Sequence, residues 1–107
     1  MFKVLDIGHK NNYLDTAISI LEAEVSRLQH EGNTRCIKIV HGHGRGKLRE
    51  AVREWCCEYE GRFQAVVFGE NYDIFHKTSV SMRSDCGNPY DFDLGRKNRA
   101  ITYLWFW

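Results

Sequence analysis

An alternation of glycines, His41-Gly42-His43-Gly44-Arg45-Gly46, joins two segments of opposite periodicity. Before it lies Cys36-Ile37-Lys38-Ile39-Val40, a short β-branched run that reads as a buried strand. After it, Leu48, Val52, Trp55 and Tyr59 recur at helical spacing, with Glu50, Arg53, Glu54 and Glu58 on other faces and Gly61 as a stop. The turn therefore has to connect a strand to a helix. Glycine permits positive φ and lets backbone N–H groups come close to an anion. The helix that follows points its positive end to the same place, and Arg45, Lys47 and Arg49 add full charges there. Together these features favour a phosphate over a neutral ligand.

The rest of the chain supplies a matching unit. Phe2 to Ile7 reads as a first strand ended by Gly8. Asn12 is expected to cap a helix with Asp15 at its third position, and Leu14, Ile18, Leu21, Val25 and Leu28 form its apolar stripe up to Gly32. Phe63 to Phe68 is a third strand and Ala100 to Trp107 a fourth. The order β-α-β-α-β-β predicts a two-layer α/β sandwich with a mostly parallel four-stranded sheet, in one domain spanning 1–107. A connection at about 69–99 is unusually long, and Thr78 to Met82 within it could form an extra short strand. This topology brings Asp6 and His41, at the ends of the first two strands, to one edge of the sheet, where α/β proteins bind ligands.

Composition excludes several classes. Hydrophobic residues are 43% and charged residues 27%, too apolar for a disordered chain. The net charge of +1 means that any surface for a polyanion must come from local clustering. No stretch reads as a membrane span, and Asp6 stands where a signal peptide needs an apolar run, so a cytoplasmic protein is expected. Cys36, Cys56, Cys57 and Cys86 are accordingly expected to be thiols. A zinc site from Cys36, His41, His43 and Cys86 lacks the usual ligand spacing, and no metal ligands are assigned.

Two nucleotide motifs fail. Gly42 to Lys47 is one residue short of a Walker A loop, and Leu48 replaces its hydroxyl. The glycine spacing and its position after the second strand do not match a dinucleotide fingerprint. Instead, Leu5-Asp6-Ile7 before an amphipathic helix, with Ile37 to Val52 around the turn, resembles the small MutS-related (Smr) domain. That family carries L-D-x-H-G after its first strand and H-G-x-G-x-G-x-L-[RK] after its second. A glycine-rich stretch precedes its last strand. The second motif is matched closely by His41 to Arg49, and Ala100 to Leu104 resembles the last strand. In the first motif the histidine and glycine are exchanged, giving Leu5-Asp6-Ile7-Gly8-His9, and the final glycine-rich stretch is the basic Gly95-Arg96-Lys97-Asn98-Arg99.

The resemblance implies a fold like the C-terminal domain of translation initiation factor three. It also implies binding of RNA or DNA, endonuclease activity in many members, and action at ribosomes in some. On this reading Asp6, His9, His41 and His43 are the candidate catalytic residues. Imidazole titrates near neutral pH, so one histidine can take the 2′-hydroxyl proton of RNA while another protonates the leaving oxygen. RNA cleavage then requires no cofactor, whereas DNA cleavage would more naturally use a divalent metal. Backbone phosphate is expected on Gly42, Gly44, Arg45, Gly46, Lys47 and Arg49, with Arg96, Lys97 and Arg99 as further contacts. Trp105 and Trp107 are weighed as exposed rings that could stack on bases. Two other readings stay open: a module that binds RNA or a ribosome without cleaving, and a domain holding a small phosphorylated ligand in a pocket roofed by the insertion.

Overall fold

The computed structural model describes residues 1–9 and 13–107. Strand β1 spans Phe2–Asp6, helix α1 Leu14–Glu31, β2 Cys36–Val40, α2 Lys47–Glu58, β3 Phe63–Phe68, α3 Lys77–Asp85 and β4 Ile101–Phe106. The stripe that defines α1 is buried at Ala17, Leu21, Val25 and Leu28, and Gly32 closes the helix in the left-handed conformation with its N–H on Leu28 O. Its N-cap position is held by Tyr13, whose side chain makes no capping bond. The expected cap, Asn12, lies outside the described residues.

The strands are ordered β1-β2-β4-β3, with β1 and β2 parallel and β4 antiparallel to both neighbours. The expectation of a mostly parallel sheet is therefore corrected: two of the three strand pairings are antiparallel. The physical reason lies in the connection at 69–99. Its two ends touch, since a Cβ on Gly69 would lie 2.0 Å from Asn98 O and 2.7 Å from Ile101 O. A connection that returns to where it began joins antiparallel strands, whatever its length. The β2-α2-β3 crossover leaves a gap one strand wide, and β4 fills it running the other way.

The 69–99 connection also adds a layer. On one sheet face, Leu21, Val25 and Leu28 of α1 and Val52, Trp55 and Cys56 of α2 pack on Ile37, Ile39, Leu104 and Phe106. On the other, Tyr72, Met82 and Cys86 pack on Cys36, Val67, Ile101 and Tyr103, so the sheet is covered on both faces rather than one. The segment weighed as an extra strand at Thr78 to Met82 is part of α3. Its buried residues, Ser79 and Met82, are three apart, and the His76 side chain accepts the Ser79 N–H at the helix start. Cys36 and Cys86 form a buried disulfide across 6.3 Å between Cα atoms, correcting the expectation of four thiols. Cys56 is a buried thiol and Cys57 an exposed one.

Candidate nucleic-acid interface

The ends of β1 and β2, the glycine turn and the start of β4 meet at one edge of the sheet. The register pairs Asp6 with Val40. Ile7 and Gly8 both donate to Val40 O, and His41 and Gly42 both donate to Ala100 O, at 2.9–3.1 Å. These four bonds bring the first loop, the turn and the end of the basic segment side by side. Gly8 is packed so closely that a Cβ there would sit 2.7 Å from the carbonyl carbon and oxygen of His41. Only glycine fits, which gives a steric reason for the histidine of the first motif to stand one residue later, at His9.

Asp6 and His9 form a pair. Asp6 Oδ1 accepts the backbone N–H groups of Gly8 and His9 at 3.0 and 3.2 Å, which fixes the carboxylate. Its Oδ2 engages His9 Nδ1 in a close contact. With Nδ1–H directed to the carboxylate, the lone pair of a neutral imidazole resides on Nε2. The His9 side chain is 82% exposed, so that nitrogen is open to a large substrate.

His41 is placed elsewhere. Its Nε2 lies 2.9 Å from Thr102 Oγ1, and its Nδ1 faces the Gly42 carbonyl at 3.3 Å. The Arg53 guanidinium donates to the same Thr102 oxygen at 3.1 Å and makes a two-bond ion pair with Glu70, at 2.9 and 2.7 Å. The Gly42 carbonyl can only accept, which places the proton of the neutral imidazole on Nδ1; Thr102 then donates its hydrogen to His41 Nε2 while accepting from Arg53. The ring is 3% exposed. Burial, reinforced by the positive charges of Arg53 and Arg49, lowers its pKa to about 4, so it is neutral at physiological pH. Arg53 in turn stacks 4.0 Å over the Phe68 ring and holds Glu70 below its ordinary value. Arg53, Glu70 and Thr102 went unseen in the sequence because they belong to α2, the loop after β3 and β4, with no shared spacing.

In the turn, Gly42, Gly44 and Gly46 all adopt positive φ, as expected for this motif. Two of its N–H groups are already used, Gly42 on Ala100 O and Gly46 on His43 O. The exposed part consists of His43, Gly44 and Arg45, followed by the start of α2 at Lys47, where no side chain caps the helix. The uncapped N–H groups of the first helical turn are donors for an anion. Arg45 and Lys47 are exposed beside them, the half-buried Arg49 folds its guanidinium over Gly46, and exposed Arg96, Lys97 and Arg99 lead into Ala100. Among the described residues none of these six cations forms an ion pair. Arg27, Arg35, Lys38, Arg53 and Arg62 all do. A net charge of +1 thus conceals a local excess.

Three minor alternatives weighed from the sequence find no support in this placement. Cys36 and Cys86 are consumed in a disulfide, and among the described residues no group of His, Cys, Asp or Glu is arranged to hold a metal, so the four-residue zinc arrangement does not form. The insertion covers the sheet face away from α1 and α2 and does not roof the turn, whose His43 to Arg45 stay exposed. Trp105 is half-buried, its indole N–H on Asp85, and Cys36 is its partner at the start of β2. With Trp107, it lies at the far end of the sheet from the turn.

The Smr domain profile matches residues 10–70, more than half of the chain. The chain belongs to the Smr domain family, whose members are nucleic-acid-binding modules, some with nuclease activity. In fold it is similar to the crystal structure of the Smr domain of Thermus thermophilus MutS2, with a TM-score of 0.64 at 15% identity over 98% of each chain. Comparison with curated proteins gives no match. No helix among the described residues is long and apolar enough to cross a membrane.

Proposed function

We propose that this Smr domain is an endonuclease acting on RNA, with Asp6 and His9 at its catalytic centre. The observation that carries the reading is the Asp6–His9 pair, built on a glycine that touches the backbone of the phosphate-type turn. The uncapped start of α2, with Arg45, Lys47 and Arg49, holds the scissile phosphate and stabilises charge on its non-bridging oxygens. His9 Nε2 takes the proton from the 2′-hydroxyl, and the 2′-oxygen attacks phosphorus. The bond from phosphorus to the 5′-oxygen breaks, and that oxygen receives a proton from His43, the other exposed histidine of the site. The products are a 2′,3′-cyclic phosphate and a free 5′-hydroxyl. His41, buried and neutral, is a positioning residue: it ties the start of the turn to β4 through Thr102. RNA is favoured over DNA because only RNA carries its own nucleophile for a pair of this kind.

The test is incubation of the purified chain with end-labelled single-stranded RNA in the presence of chelator. Cleavage to cyclic-phosphate ends is expected, with a loss of about 100-fold or more in His9→Ala and Asp6→Asn. Cleavage untouched by either substitution overturns the assignment. Tight, salt-sensitive binding without cleavage supports the non-cleaving module instead, a reading favoured by the withdrawal of His41 from the surface.

A further inference from the structure

We infer that Tyr90 and Phe92, in the insertion, form a base-stacking platform beside the turn, which makes unpaired nucleic acid the substrate class of this site. The inference rests on the nucleic-acid reading above and adds to it which form of nucleic acid is taken. Between the two rings stands Asp91, whose side chain is 1% exposed. It accepts Lys38 Nζ at 2.6 Å and the Tyr103 hydroxyl at 2.6 Å, both from central strands. Asp93 engages the same ammonium at 2.5 Å. With Asp91 drawn in, its neighbours project out: Tyr90 is 91% exposed and Phe92 62%. These are rigid rings on an anchored loop, held outward where burial would be expected for large apolar groups.

The position of the loop fits the purpose. Lys38 is three residues before His41, about 10 Å along β2. From the other side, Asp93 accepts from the Asn98 amide at 2.9 Å, Asn98 accepts from the Ala100 N–H at 2.8 Å, and Ala100 O takes the N–H groups of His41 and Gly42. One chain of bonds thus fixes the platform relative to the turn. The Arg96 guanidinium lies 4.1 Å over the Phe92 ring, leaving the ring substantially exposed, and Lys97 and Arg99 follow. Aromatic rings interleaved with unpaired cations suit a polyanion with flat bases, and bases are free to stack only where they are unpaired. An apolar protein partner would be met by a continuous patch without these charges.

The experiment measures affinity by fluorescence anisotropy for three labelled probes of equal length: a single-stranded oligonucleotide, the same strand with abasic sites at its centre, and a duplex. The full chain is expected to bind the intact strand more tightly than the other two. Tyr90→Ala/Phe92→Ala should lose roughly 10-fold or more on the intact strand and little on the abasic strand or duplex. Phe92→Tyr should retain the preference, and a thermal melt of each variant checks the fold. Equal losses on all three probes, no preference in the parent chain, or self-association relieved by the double substitution each overturn the platform. If the parent chain binds intact strand tightly but the rings are irrelevant, the nucleic-acid reading stands and the platform falls. If it binds none of the probes, both fall.

Discussion

Because His41 is buried in its neutral form, the fold should weaken as pH drops, well before the carboxylates titrate. The ordinary histidine pKa is 6.5, and in the folded chain that of His41 is lowered to about 4. Between these values the unfolded chain binds a proton that the folded chain refuses, so stability falls with falling pH. The contribution is fully present above 6.5 and is lost progressively on the way down to the folded value. From pH 7 to pH 5 the loss is about 2 kcal/mol, and the full difference approaches about 3 kcal/mol. The ion-paired carboxylates Glu70, Asp85 and Asp91 are held below their ordinary values, so their contributions are lost only at still lower pH. The assay is urea unfolding at several pH values between 7 and 5, for the parent chain and for His41→Gln, which offers an acceptor to Thr102 and does not titrate. The parent chain should lose about 2 kcal/mol more than the variant over this window. Parallel curves would refute the buried, neutral assignment and return His41 to the set of proton-transfer candidates.

Two further outcomes are expected. Reducing the Cys36–Cys86 bond, which closes a loop of 50-residue separation, should cost about 4 kcal/mol on the chain-entropy estimate, seen as a lower urea midpoint with reductant; an unchanged midpoint would remove the bond from the stability argument. Gly8→Ala should destabilise by about 1–3 kcal/mol, because the added methyl meets His41 backbone, and should lower RNA cleavage as the Asp6–His9 pair is pushed from the turn. Wild-type stability in that variant, read by thermal melt, would mean the contact is not tight.

The strands and the first two helices were legible because each carries its own period. The Val25 and Leu28 stripe and the five-residue run at Cys36–Val40 depend on local sequence alone, and both formed as expected. What local pattern could not carry was decided over long separations. The direction of β4 follows from Gly69 lying against Asn98, and the disulfide from residues fifty positions apart. Helix α3 was hidden because a serine rather than an apolar residue fills one of its two buried positions, and its cap is a histidine.

The same limit explains the site. Reading Asp6, His9 and His41 as one cluster assumes that residues at the ends of neighbouring strands point the same way. In the parallel register Asp6 is beside Val40, and the two project to one face, the one covered by the insertion. His41 is one residue further, and side chains alternate along extended backbone, so its ring turns to the opposite face, under α2, where Thr102 and Arg53 receive it. A single position of offset therefore separates the buried His41 ring from the Asp6 carboxylate and the exposed His9 ring that it holds. The exposed Asp6–His9 pair shares its face with Lys38, and through Lys38 with the loop that carries Tyr90 and Phe92. The exchange of glycine and histidine in the first motif and the long insertion, two departures from the family pattern, thus fall on one side of the sheet. A substrate lying across that side would meet the proposed catalytic pair, the basic segment and the aromatic rings together.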